Sequence, residues 1–292
     1  MTRLADAGEV GRVPVEMPAM SFACRMCGKP MAAKAWGGAE CRRCGSVSMV
    51  ALPTDETSAR VGASIASIQA SRAGRCALRC ADRYLRIVKR HVAAGLLIDV
   101  GTSTSPFPNL AEEAGFDVTV LGQMLPKGLS PSIRFREGSV EGETLLAQLE
   151  GVFDVVTAWA VIERLPDPVL SARVLSRMCR PGGKLFLSTP EIGTFLTNHA
   201  IGQSPWVQTP EHLCLQSPPA IAKVFEAEGC RLLTWGRVEL NPLRYATRYG
   251  AGLAQALGGL VIKALFPGRW QALRDSRLHG FKGITYFVLE RR

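Results

Sequence analysis

Four cysteines are spaced to hold one metal ion. Cys24 and Cys27 form one CxxC pair, Cys41 and Cys44 another, with thirteen residues between them and a glycine after each (Gly28 and Gly45). Zinc takes four ligands at tetrahedral corners, and two such turns each offer it two thiolates. Glycine lets each turn close tightly around the ion. A segment of about 30 residues buries too little apolar surface to fold alone, so bound Zn2+ would supply its folding energy. With four protein ligands the site reads as closed and structural, not catalytic. A redox pair would need only one CxxC before a helix. Arg25, Lys29, Lys34, Arg42 and Arg43 make the segment basic. That suits a polyanion, although solvated charge explains it as simply.

A second group of residues surrounds a turn. Leu96-Leu97-Ile98-Asp99-Val100 is an apolar run ending near an acid, and Gly101-Thr102-Ser103-Thr104-Ser105 follows it with small residues only. In a doubly wound sheet, ligands bind outside the carboxyl ends of the strands, where small residues let the backbone approach them. Farther on, Phe153-Asp154-Val155-Val156-Thr157-Ala158-Trp159 leads through Glu163-Arg164-Leu165-Pro166-Asp167-Pro168 to Arg180-Pro181-Gly182-Gly183 and Leu185-Phe186-Leu187-Ser188-Thr189-Pro190.

The elements needed to position these residues follow from periodicity. Helical spacing with a weak point at Gly74 runs over residues 61–91. Strands are predicted at 96–100, 117–121, 133–136, 153–158, 184–189, 231–238 and 284–289. Helices are predicted at 109–114, 144–149, 168–178 and 218–228, the third ended by Pro181-Gly182-Gly183. Strands alternating with helices imply an α/β fold, a mostly parallel sheet covered on both faces. The organisation reads as a loose N-terminus (1–20), the zinc knuckle (21–52), a linker with a basic helix (53–91) and one large domain (92–292). That domain carries an insert at about 240–280.

Composition narrows the function classes. An apolar content of 47% suits a globular core. No run of 18 apolar residues suggests a spanning helix, and the N-terminus lacks an apolar signal region, so a cytoplasmic protein is expected. The remaining cysteines (Cys76, Cys80, Cys179, Cys214 and Cys230) read as free thiols. The net charge is +10, yet residues 93–230 carry 9 basic and 15 acidic residues. The basic excess therefore lies in the flanks, which suit RNA or an anionic membrane surface, or form a solvated arginine-rich exterior. Residues 249–266 are apolar and glycine-bearing, flanked by Arg244, Arg248, Lys263 and Arg269. They read as an interfacial helix, a lid, or a face packed on the domain or a second subunit.

The motif order resembles class I S-adenosylmethionine-dependent methyltransferases, in particular a branch with an EHL/DP block and a later RPGG…LSTP block. Pro205-Trp206-Val207-Gln208-Thr209-Pro210-Glu211-His212-Leu213 also resembles that branch. The resemblance covers residues 84–235 and the final strand, and implies a doubly wound Rossmann-like methyltransferase sheet with S-adenosylmethionine as cofactor. By it, Asp99 and Gly101 lie beside the methionine and ribose parts. Ser103 and Ser105 stand where the family has glycine. The acid that usually holds the ribose hydroxyls falls at Gly122, and the acid facing the adenine falls at Ser139. Losing a carboxylate–diol contact removes roughly 1.5–3 kcal/mol of charge-assisted hydrogen bonding, for which Gln123 or Glu141 are candidate substitutes. Trp159 is placed to stack near the adenine or to fill the core.

For catalysis, the candidate bases are His212, Glu163 and His199. His212 titrates in the right range and lies in a segment that lines the family's substrate pocket. A structural histidine and an ion-paired glutamate are the plainer alternatives. A quinone O-methyltransferase subgroup binds a divalent metal through an E..EH cluster. Here those positions read Ala160, Glu163 and Arg164, so no catalytic metal is expected. The leading expectation is methyl transfer to a small-molecule or glycan-type acceptor. A distant resemblance to rRNA guanine methyltransferases with zinc-binding N-termini offers RNA as an alternative acceptor, although that family usually has histidine where Cys44 stands. An inactive scaffold with a degraded cofactor site is the third alternative.

Overall fold

A computed structural model describes residues 21–34, 37–50, 73–101, 105–140, 147–190, 192, 212–238 and 284–292. Its centre is a seven-stranded sheet of β5 (Gly95–Val100), β6 (Phe116–Gly122), β7 (Arg134–Glu137), β8 (Phe153–Trp159), β9 (Cys179–Pro190), β11 (Cys230–Val238) and β12 (Ile284–Arg291). The spatial order is β7-β6-β5-β8-β9-β12-β11. The first five in that row run parallel, and β12 is antiparallel to both β9 and β11. In β8 every residue but Asp154 is buried, the near-continuous apolar pattern of a strand covered on both faces.

Alternate residues sort to the two faces. Leu97, Val155 and Phe186 pack on one side against Ala81, Tyr84, Ile87 and Val88 of α1 (Ala73–Lys89) and Phe107 and Ala111 of α2 (Phe107–Glu113). Ile98, Val156, Leu185 and Leu187 pack on the other side against Ala172 and Leu175 of α3 (Pro168–Met178) and Ile221 and Phe225 of α4 (Pro218–Ala227). The doubly covered sheet expected from the sequence is therefore present.

One boundary needs correction. The helix ends at Met178 and the chain enters β9 at once, so Pro181-Gly182-Gly183 lies inside a strand, not before one. The pairing with β8 jumps from Phe153↔Cys179 to Val155↔Lys184, a bulge that absorbs the extra residues. A Cβ on Gly183 would sit 3.0 Å from the Asp154 carbonyl oxygen and 2.7 Å from Cys179 Sγ, which is why glycine stands there.

The cysteine segment forms two hairpins. β1 (Ser21–Ala23) pairs with β2 (Pro30–Ala32) around the first CxxC, and β3 (Gly38–Glu40) pairs with β4 (Val47–Met49) around the second. A strand the sequence did not suggest, β10 (Cys214–Leu215), adds to β4. Cys24, Met26, Met31, Ala39 and Cys41 share one apolar cluster with Ala172, Leu175 and Phe225. The knuckle thus packs into the large domain.

Among the described residues, no helix is long and apolar enough to cross a membrane. The expected stretches 1–20, 53–58 and 243–277, and the first half of 144–149, lie outside the described residues, as does the helical pattern before Ala73.

Candidate functional site

The carboxyl ends of β5, β6, β8 and β9 meet at one edge of the sheet. Asp99, at the end of β5, is 5% exposed and accepts a hydrogen bond from the Thr157 hydroxyl on β8. Burial pushes its carboxyl up to about 7, against the lowering effect of that bond. Gly101 follows, its N–H donating to the Leu121 carbonyl at 3.1 Å. Gly122, ending β6, lies so close that a Cβ there would sit 3.0 Å from the Gly101 carbonyl oxygen. The Gly122 carbonyl accepts the Gly138 N–H at 3.0 Å, which places half-buried Ser139 next to it. Ser105 accepts the Phe107 N–H at 3.2 Å and so helps start α2. Ser103, Glu141 and His199 lie outside the described residues, and Gln123 is exposed.

After β8 the backbone turns sharply. Ala160 has φ 55°, the left-handed region that costs a non-glycine residue about 1–2 kcal/mol. Its N–H donates to Ser188 Oγ at 3.0 Å. The turn carries Glu163 inward, where it is fully buried with no hydrogen-bond partner for either oxygen among the described residues. Burial raises its carboxyl to about 7, opposed chiefly by the positive charge of Arg164. Trp159 stacks on Tyr84 with ring centres 4.1 Å apart, and Phe107 meets it edge-on at 5.4 Å. One face of the indole is therefore already covered, while its Nε1–H has no partner among the described residues. The Ser188 hydroxyl reaches the Tyr84 hydroxyl at 3.3 Å.

His212 is 4% exposed. The next residue, Leu213, donates its N–H to the Glu163 carbonyl at 2.8 Å, so the two candidate bases belong to one wall. Gln216 lies one turn of chain on, accepting from the Thr189 hydroxyl and donating Nε2–H to the Ile162 carbonyl, both at 3.0 Å. Sequence reasoning did not single out Tyr84, Thr157, Ser188 or Gln216. Tyr84 alone left a signal, an aromatic with a polar tip on the apolar stripe of α1.

The four cysteines converge as their spacing predicts. Their sulfur atoms all lie within 4.8 Å of one another, with Cys24–Cys44 at 3.6 Å and Cys27–Cys41 at 3.5 Å. A zinc ion with bonds of about 2.3 Å holds its sulfurs about 3.8 Å apart. Both turns are built alike. Gly28 N–H donates to Cys24 O and Gly45 N–H to Cys41 O, each at 2.8 Å, and the two glycines take φ 67° and 71°. Burial would raise the Cys41 thiol, but backbone hydrogen bonds from Cys44 and Arg43 bring it down to about 7. Burial raises Cys24 and Cys44. The donor set and its spread fit Zn2+.

A protein family described as a methyltransferase domain matches residues 72–234. Ubiquinone biosynthesis O-methyltransferase of Xanthomonas oryzae pv. oryzae is 34% identical over 108 residues, covering 34% of this chain and 44% of that protein. The protein of the same name from Albidiferax ferrireducens is 42% identical over 60 residues, covering 20% and 23%. The chain spans less than half the length of these two relatives. Among solved structures, the fold is similar to 1,6-didemethyltoxoflavin-N1-methyltransferase from Burkholderia thailandensis, which holds 1,6-didemethyltoxoflavin and S-adenosylhomocysteine. That similarity has a TM-score of 0.51 at 14% identity, covering 84% of this chain and 95% of that one. An O-methyltransferase family protein from the same organism gives 0.50 at 12% identity, covering 75% and 57%.

Proposed function

Since the chain belongs to the methyltransferase-domain family, we propose that it transfers a methyl group from S-adenosylmethionine to a small-molecule or glycan-type acceptor. The observation that carries this reading is a pair of buried carboxyls near the ends of adjacent strands, Asp99 bonded to the Thr157 hydroxyl and Glu163 with no hydrogen bond among the described residues. Such groups suit a cationic ligand, and S-adenosylmethionine is one. The backbone at Gly101 and Gly122 is free of side chains, which suits close approach of a nucleoside. The ribose-anchoring carboxylate of the family is missing at Gly122, so backbone groups and Ser139 would hold the nucleoside.

When bound, S-adenosylmethionine supplies a methyl group on a positively charged sulfur that leaves as a neutral thioether. The chain's own task is alignment and proton removal. Asp99 would hold the cofactor's methionine part. Tyr84, Trp159 and Phe107 wall off water on the α1 side. Glu163, whose carboxyl burial raises to about 7, would in its carboxylate form take the proton of the acceptor's hydroxyl or amine as the new bond to carbon forms. His212, on the same wall, orients the acceptor. The relatives named for ubiquinone O-methylation support a small acceptor. We assign the four cysteines a structural Zn2+.

Calorimetric titration of the purified chain with S-adenosylmethionine tests this reading. Binding in the micromolar range is expected. Absence of heat at millimolar ligand would overturn it in favour of a non-enzymatic scaffold. RNA retention that weakens steeply with salt would move the acceptor from a small molecule to RNA.

A further inference from the structure

We propose that the four-cysteine knuckle is a metal-dependent clamp on the acceptor side of the candidate site, so that zinc loading sets the order of the wall bearing Glu163 and His212. This rests on the methyltransferase reading for the word acceptor and on the thiolate centre for the metal. The contacts themselves stand apart from both.

The residues that touch the wall are those of the metal turns. Arg25 lies between the first two cysteines, and its guanidinium donates to the Pro166 carbonyl at 2.8 Å and to the Met49 carbonyl at 3.3 Å. Cys44 is itself a candidate ligand, and its carbonyl accepts the Ser217 hydroxyl. Ser46, two residues on, accepts the Ser217 N–H through its hydroxyl at 3.2 Å. Between these anchors, β4 takes β10 as its neighbour, with Ser48 opposite Cys214 and Val47 opposite Leu215.

The wall transmits that hold to the turn after β8. Leu213 is bonded on both sides: its carbonyl accepts the Met49 N–H at 2.9 Å, and its N–H donates to the Glu163 carbonyl at 2.8 Å. Gln216 ties the same segment to Ile162 and Thr189. Ile162, Glu163 and Pro166 are thus fixed by the knuckle or by the strand it holds. Among the described residues no hydrogen bond fixes the Glu163 carboxyl, the nearby Thr189 hydroxyl being bonded to Gln216, so its placement depends on this backbone frame. Without metal, four converging sulfurs and a few short strands cannot keep the turns closed. The β4 edge and the Arg25 contact would loosen first.

Hydrogen exchange followed by mass spectrometry on the full chain tests the clamp. Three samples are compared: zinc-loaded, zinc-stripped by a chelator, and Arg25→Ala with zinc retained. Exchange in peptides covering 212–217 and 161–166 is expected to rise about tenfold on stripping and severalfold in Arg25→Ala, clearly more than in β5 and the 184–189 part of β9, which open only with the whole fold. Unchanged exchange at 212–217 after zinc loss overturns the proposal. So does loosening that spreads equally to β5 and β9, or less than half an equivalent of zinc in the purified chain. If stripping precipitates the protein, Arg25→Ala decides alone: full zinc with unaltered exchange overturns the clamp. S-adenosylmethionine titration of the loaded form is read separately. Its failure would remove the methyltransferase reading and leave the exchange result to judge the clamp.

Discussion

Glu163 and Asp99 hold their protons more tightly than free carboxyls because burial disfavours the charged form. Both folded values are raised, so the stability they contribute is fully present below about pH 4 and is lost as the pH rises through about 7. For Glu163 the rise from 4.5 to about 7 corresponds to about 3 kcal/mol. Glu163→Gln keeps the shape and removes the titration. Thermal unfolding between pH 5 and pH 8 should therefore fall less steeply in this variant than in the unmodified chain; parallel falls would contradict the assignment. A cation bound beside these groups lowers them again, so S-adenosylmethionine binding at pH 7 should release about half a proton or more. Titration in two buffers of different ionisation enthalpy measures this, and no difference between buffers would count against a cation at these carboxyls. The residue types were readable from the sequence, and so were the two CxxC pairs. The burial of Glu163 was not, because it depends on the strained turn at Ala160 and on Leu213, fifty residues along the chain.

The strands and helices that carry these residues were largely legible. Continuous apolar runs marked β5, β8 and the second half of β9. The predicted start of α3 at Pro168 holds, and there the Asp167 side chain accepts the Val169 and Leu170 N–H groups, each at 2.9 Å. The Pro-Gly-Gly block misled, since glycine and proline ordinarily mark an end. Its real constraint is lateral: Gly183 lies against the Asp154 carbonyl and Cys179. Gly183→Ala must push the β8 and β9 backbones apart and should destabilise the fold by about 1–3 kcal/mol. Urea unfolding checks this, and a loss of less than half a kcal/mol would mean that the bulge adapts. β10 escaped detection for a different reason. Two residues, Cys214 and Leu215, carry no periodicity, and their partner strand lies 166 residues earlier.

The molecule as a whole joins its two parts more closely than a chain of modules would. The sequence placed a linker and a basic helix between the knuckle and the large domain. In the structure the knuckle's buried Cys24, Met26, Met31, Ala39 and Cys41 share a cluster with α3 and α4, and a third strand from the large domain completes its sheet. Two bodies that share apolar core and a strand ladder lose both when either unfolds, so their unfolding should be coupled. Scanning calorimetry of the zinc-loaded chain should show one transition for knuckle and sheet together, with the calorimetric enthalpy matching the van't Hoff value. Metal that binds only the folded form adds to that stability, so a chelator should move the same transition to lower temperature. A separate low-temperature peak that vanishes on chelation, with the main peak unmoved, would instead show the knuckle to be an autonomous unit resting on the domain.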